Sequence, residues 1–174
     1  MVSRILTAMG HSVYDCDSRA RAIIDSDSTL LQDIARHVTP GAIAADGTYD
    51  RAATAAAVFA GPEKLKALNT LVHSAVIRDF NRWAAIHSGH IFVETAILRS
   101  SGLWQHVDNE WHITAPDALR IERVMARNST TADAVSARIA AQQAETPWHH
   151  RPVPCVIMVN DGRRPLLPQI LQNL

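Results

Sequence analysis

Ser12-Val13-Tyr14 running into Asp15-Cys16-Asp17 is a short apolar segment that stops on two carboxylates. Three further segments repeat the design. His90-Ile91-Phe92-Val93 stops at Glu94, and Cys155-Val156-Ile157-Met158-Val159 stops at Asn160-Asp161-Gly162. The weaker Glu110-Trp111-His112-Ile113-Thr114 closes at Ala115-Pro116. Unbroken apolar runs of this length, separated by helical stretches, predict buried strands of a parallel sheet covered on both faces. Ligands of such sheets bind just beyond the carboxyl ends of the strands, where the acidic and amide side chains of three of these runs fall. Asp15 and Asp17 equally suit a turn with Asx-type caps ahead of a helix from Ser18. A carboxylate at the end of a buried strand, as Glu94 is here, needs an arginine partner or a water-coordinated metal.

Helical patterns fill the intervals. Ser3 to Met9 reads as a helix stopped by Gly10, followed by helices over Ser18 to Asp25, Ser28 to His37 and Asp50 to Phe59 with Asp50 as N-cap. Pro62 opens a long helix whose Leu65, Leu68, Leu71, Val72, Ala75, Val76, Phe80 and Trp83 recur on a 3–4 rhythm up to Gly89. Pro116 to Arg127, Thr131 to Gln143 and Pro165 to Leu171 complete the set, with a proline-rich loop over Pro147 to Pro154. The block 25–87 has helices and no clear strand, so it reads as a helical insertion between the first two strands.

Composition narrows the function. The 174 residues are 47% hydrophobic and 20% charged, enough to bury the core of one domain or of one with a small inserted subdomain. Lys+Arg 17 against Asp+Glu 17 lacks the basic excess of many nucleic-acid binders. No apolar run approaches the ~20 residues that span a bilayer, and no signal peptide is expected. Cys16 and Cys155 are the only cysteines, so no disulfide framework is expected and a reducing cytoplasm is the default. Fifteen of the 17 cations are Arg, which suits phosphate binding, or reflects a coding bias toward Arg and Ala. Seven scattered glycines and two lysines, Lys64 and Lys66, neither directly after a glycine, exclude both a Walker A and a GxGxxG loop within these residues.

Read in order, the segments resemble dephospho-coenzyme A kinases over nearly the whole chain. Val2 to Leu6, Met9-Gly10 and Val13 to Asp17 resemble the region just after that family's phosphate loop. Asp46-Gly47-Thr48-Tyr49-Asp50-Arg51 is similar to its ADGxLDR turn, and Leu68-Asn69-Thr70-Leu71-Val72-His73 to its LNxxxHP. Val93-Glu94-Thr95-Ala96-Ile97-Leu98 with Ser101-Gly102-Leu103 is similar to DxPLLFESGL, Arg120 to Asn128 with Arg138 to Gln142 to its lid, and Asn160-Asp161-Gly162 to its NDG. Ser74 stands where the family has Pro, Arg99-Ser100 where it has Phe-Glu, and Glu94 where Asp is usual.

The resemblance implies an α/β, P-loop kinase-like fold: a three-layer parallel sheet with helices on both faces, lacking its first strand here. Residues 1–24 and 88–174 would be the nucleotide kinase core, 25–87 a helical CoA-binding insertion, and 116–146 a lid within the core. The implied reaction is ATP-dependent phosphorylation of the ribose 3′-hydroxyl of dephospho-CoA, with Mg²⁺. Asp17 would be the base, and Asp15 would orient the hydroxyl or help hold the Mg²⁺ hydration shell, as Glu94 also would. Arg120, Arg123 and Arg127 lie along one helical face. Arg123 and then Arg127 are the implied contacts to the ATP phosphates, Asn160 lies near the nucleotide, and His73, Ile97 and Leu98 hold the acceptor. His149-His150 lack a third ligand at zinc spacing, so no zinc site is expected. Neither nucleic acid nor membrane is an expected partner, and the oligomeric state is open.

In that family a first strand and a glycine-rich loop ending in Gly-Lys-Ser/Thr precede the helix that opens this sequence. A start assigned too late, or a truncation, is the expected origin, and the 174 residues alone are expected to be a nearly inactive kinase. Two other readings remain: a non-catalytic relative that binds a CoA-like ligand or a protein partner, and a nucleoside or nucleotide monophosphate kinase.

Overall fold

Ser12–Asp15 forms strand β1, and its partner is β2, Ile91–Glu94. The two run parallel, from Ser12 opposite Ile91 to Asp15 opposite Glu94. A parallel pair cannot be closed by a tight turn, and here the crossover is helical. It consists of α2 (Cys16–Ser26), α3 (Ser28–His37), α4 (Arg51–Ala60) and α5 (Pro62–Ala85), after the opening helix α1, Val2–Ala8. A second parallel pair joins β3 (Glu110–Thr114) to β4 (Cys155–Val159), with α6 (Asp117–Asn128) and α7 (Ala132–Glu145) between them and α8 (Leu166–Leu171) after. The computed structural model describes residues 1–128, 130–145 and 153–174, so most of the Pro147 to Pro154 loop and the His149-His150 pair lie outside the described residues.

The chain divides into two compact units, Met1 with Ser3–Leu103 and Val2 with Trp104–Leu174. In the first, α5 is the spine. One apolar cluster gathers Ile24, Leu30, Ile34, Val38, Ala42 and Ala75, with Leu68, Leu71 and Val72 packed against it. A second gathers Tyr14, Cys16, Val76, Phe80 and Leu103. The 3–4 rhythm of α5 thus serves both clusters. Ile34 is fully buried where α3 meets α5. Ile34→Ala is expected to cost about 2–5 kcal/mol in a urea titration, because the void cannot fully collapse. In the second unit Met158 and Ile170 are fully buried, and Val135 and Ile139 bury one stripe of α7.

The strands are less enclosed than their apolar runs predict. Tyr14 and Met158 are buried, whereas their neighbours along β1 and β4 are half-buried or exposed. Side chains alternate between the faces of a strand, so Tyr14 faces the α5 cluster and Val13 the less covered side. Helix α2 also begins two residues earlier than the Ser18 start predicted by the sequence, because Asp15 is its N-cap. The 25–87 block is helical as expected, apart from a short 3-10 turn over Pro40–Ala42 and one antiparallel bridge between Ile43 and Tyr49.

Candidate active site

The parallel register brings Asp15 beside Glu94, so β1 and β2 deliver two carboxylates to one edge. Asp15 ends the strand and starts the helix at once. Its Oδ1 accepts from the N–H groups of Asp17 at 3.0 Å and Ser18 at 3.3 Å, and its Oδ2 accepts from the Ser18 hydroxyl at 2.7 Å. That hydroxyl, with the two amides, holds the Asp15 carboxyl below the usual carboxylate range in spite of partial burial. Such a cap satisfies helix N–H groups that would otherwise lack acceptors. Asp17, in the first turn, is exposed, and its carboxylate has no hydrogen-bonding or ion-pair partner among the described residues. Of the two aspartates, one is committed to structure and the other is available.

Glu94 departs from expectation. It is exposed and accepts from the Ser3 hydroxyl of α1, so neither an arginine nor a metal-bound water is needed to satisfy it. The half-buried β2 leaves this carboxylate in water, and the cost of isolating a charge does not arise. Between the carboxylates lies buried Cys16. Burial pushes its thiol up to about 12, helped by the charges of Asp17, Asp15 and Glu94 and opposed by the Thr95 hydroxyl. A thiol so disfavoured for ionisation is a poor nucleophile at neutral pH.

The other residues singled out in the first unit lie in the turn after β2 and on α5. Ile97 is partly exposed in the turn after β2, its N–H donated to the Thr95 hydroxyl at 3.1 Å, and Leu98 packs on the Tyr14 and Phe80 cluster. His73 is half-buried on α5, and burial holds its imidazole below the ordinary histidine value. Sequence reasoning missed Asp79, whose carboxylate accepts from the buried Tyr14 hydroxyl at 2.7 Å and from Arg19 Nε at 2.8 Å. Burial pushes the Asp79 carboxyl up, but the Tyr14 hydroxyl and Arg19 guanidinium reverse this and leave it below the usual range. The available signal was a tyrosine facing inward on a strand, because a buried hydroxyl needs a partner. No spacing rule links residues 19 and 79.

In the second unit, Arg123 and Asn160 come together. Arg123 Nη1 donates to the Asn160 carbonyl at 2.8 Å, while the Asn160 N–H donates to the Thr114 carbonyl at 2.7 Å. Gly162 turns the chain with φ +79°, in the left-handed region that only glycine enters freely, beside the Arg123 guanidinium. Asp161 Oδ1 accepts from the N–H groups of Arg163 at 2.9 Å and Arg164 at 2.8 Å. Gln169 went unnoticed in the sequence: its side-chain amide accepts from Val159 N–H at 2.8 Å and donates to Val159 O at 3.0 Å. It thereby takes the place of a neighbouring strand at the end of β4. Arg127 is exposed and donates to the Asn128 side chain, and Arg120 pairs with Asp117 at 3.1 Å. Arg123 is therefore the cation of this face most firmly tied to the loop after β4.

Among the described residues, no three His, Cys, Asp or Glu side chains form a metal cage. The exposed carboxylates of Asp17 and Glu94 do offer hard oxygen donors. Such a set fits Mg²⁺, which keeps several waters and binds through one or two carboxylates together with substrate phosphates.

The shifted groups fix the direction of pH dependence. His73, lower in the folded than the unfolded state, contributes stability at neutral pH that begins to fade as pH falls through about 6.5. Asp15 and Asp79, also depressed, contribute stability that is present above about pH 4 and lost below it. The melting temperature should therefore fall in two stages on acidification. His73→Gln should flatten the upper stage only, and a melting temperature that rises between pH 7.5 and 5.5 would contradict these assignments.

A family model described as dephospho-CoA kinase matches residues 1–164. A dephospho-CoA kinase of Porphyromonas gingivalis is 35% identical over 150 residues, covering 83% of this chain and 72% of that protein. One from Bacteroides fragilis is 28% identical over 174 residues, covering 99% and 83%. Among solved structures, that of TT1252 from Thermus thermophilus is 28% identical with TM-score 0.77, covering 99% of this chain and 90% of that one. The dephospho-CoA kinase from Campylobacter jejuni, 19% identical with TM-score 0.62 over 98% of this chain and 88% of that one, shares the fold. No helix among the described residues is long and apolar enough to cross a membrane.

Proposed function

The chain belongs to the dephospho-CoA kinase family, and from that premise we propose that it carries the machinery to phosphorylate the ribose 3′-hydroxyl of dephospho-CoA with ATP in the cytoplasm. The observation that carries this reading is the Asp17 carboxylate, exposed and unpartnered among the described residues at the carboxyl edge of β1 and β2. Phosphoryl transfer asks the protein mainly to position groups and offset charge. Asp17 takes the proton of the 3′-hydroxyl as that oxygen bonds to the γ-phosphorus and the bond to the departing ADP breaks. Asp15 holds the first turn of α2 in place through its cap, which fixes the direction of Asp17. Glu94 is the group that would hold the waters of Mg²⁺, whose charge offsets that of the phosphates, since both Asp15 oxygens serve the cap. Helices of the 25–87 insertion, with His73, and the turn carrying Ile97 and Leu98 receive the acceptor. Arg123 and Arg127 meet the nucleotide phosphates, Asn160 lies near its base, and residues 116–146 act as a lid.

The 174 residues contain no Walker A sequence. As a polypeptide on their own they lack the amide cradle and lysine that grip the β- and γ-phosphates, and they are expected to bind acceptor while turning over slowly. That same observation favours a second reading, a family member that binds a CoA-like ligand without turnover. Calorimetry with dephospho-CoA, paired with an assay of ADP release over a panel of acceptors, tests both. Binding of dephospho-CoA with slow ADP release that depends on it supports the kinase reading. Binding with no ADP release under any condition supports the second, and a preference for nucleoside monophosphates overturns both.

A further inference from the structure

We infer that Asp79 is a positioning residue that locks α5, and with it the acceptor-binding face, against the strand and helix that carry Asp15 and Asp17. The Asp79 carboxylate collects donors from two other elements. Tyr14 of β1 donates its hydroxyl to Oδ2 at 2.7 Å, and Arg19 of α2 donates Nε to Oδ2 at 2.8 Å and Nη2 to Oδ1 at 2.9 Å. Arg82, one turn along α5, adds an ion pair at 3.8 Å. The Tyr14 hydroxyl also lies 3.4 Å from the Val76 carbonyl, and its ring, 1% exposed, meets Phe80 and Trp83, each at 5.3 Å. Tyr14 and Arg19 flank the Asp15–Asp17 segment on both sides. The carboxylate of α5 thus grips the chain on both sides of the candidate base, at Tyr14 and Arg19.

Apolar packing sets the angle between two helices only loosely, with a scatter of about 15–20° from one helix pair to another. A part-buried carboxylate with every donor directed is far less forgiving, because turning α5 breaks a charge-assisted bond. His73 lies on the same helix, about 9 Å from Asp79 along its axis. Fixing α5 therefore fixes where His73 stands relative to Asp17. The reading of the α5 face as acceptor-binding is the one proposed above, and this inference rests on it.

Calorimetry of residues 1–174 with dephospho-CoA, at a temperature where circular dichroism shows each variant folded, is the test. Asp79→Asn and Arg19→Met are each expected to weaken binding about tenfold, and the double variant no more than the weaker single, since both cut the same link. A role confined to stability would lower the melting temperature and leave the dissociation constant within about twofold, and that result overturns the inference while dephospho-CoA binding by the unaltered chain preserves the function. No binding by the unaltered chain would overturn both. If Asp79→Asn does not fold, Arg19→Met, whose side chain is 46% exposed, decides alone.

Discussion

Fused behind the first strand and glycine-rich loop of a dephospho-CoA kinase relative, residues 1–174 are expected to phosphorylate dephospho-CoA at least ~10³-fold faster than the same residues alone. The argument is electrostatic. The transferring phosphoryl group carries charge on its peripheral oxygens, and its stabilisation by fixed cations and amides supplies most of the catalysis. The chain offers Arg123, tethered to the Asn160 carbonyl, and Arg127 near the end of α6, but neither of its two lysines follows a glycine-rich loop. Arginine side chains alone do not replace a cradle of backbone N–H groups. Steady-state ADP release by the fused and unfused proteins measures the ratio. Equal rates would mean that these residues assemble a phosphate site of their own.

In the fused form, Asp17→Asn should lower kcat by about 10²–10⁴-fold, the usual contribution of a positioned general base. The KM for dephospho-CoA should change little, since an interaction that matters only as the proton moves leaves ground-state binding intact. Asp15→Asn provides the contrast. Asparagine still offers an N-cap oxygen to the first turn of α2, so that variant should keep the fold and lose much less activity. The difference follows from the hydrogen bonds: Asp15 gives its oxygens to Ser18 and the Asp17 amide, while Asp17 gives its own to nothing described. Similar losses in the two variants would mean that the base has been placed on the wrong carboxylate.

Much of this was legible in the sequence because it rests on local chemistry. Apolar runs ending in polar side chains marked all four described strands, and the rhythm of Leu65 to Trp83 marked α5. The Asp50 cap of α4 was equally plain, since its carboxylate accepts from the Ala53 amide three residues on. What the sequence concealed depends on contacts between distant segments. An apolar run does not say how many neighbours cover it, so Val13 and Ile157 were expected to be buried and are not. Glu94 was expected to need an arginine or a metal-bound water, yet a hydroxyl from Ser3, at the far end of the unit's sequence, meets it in water. By residue type alone Asp15 and Asp17 both suit a capping turn, and only the helix start shows that Asp15 is the cap. Nothing local singles out Asp79 or Gln169, and only the fold showed one gripping β1 and α2 and the other finishing the end of β4.

Phosphorus NMR of the products formed by the fused protein from ATP and dephospho-CoA reaches the heart of the matter. The expected spectrum shows a new monoester resonance on the ribose 3′-oxygen, growing in step with ADP and suppressed in Asp17→Asn. A phosphate that appears on any other oxygen, or on a nucleoside monophosphate offered in competition, would contradict the assignment of the β1 edge as the site where that hydroxyl gives up its proton.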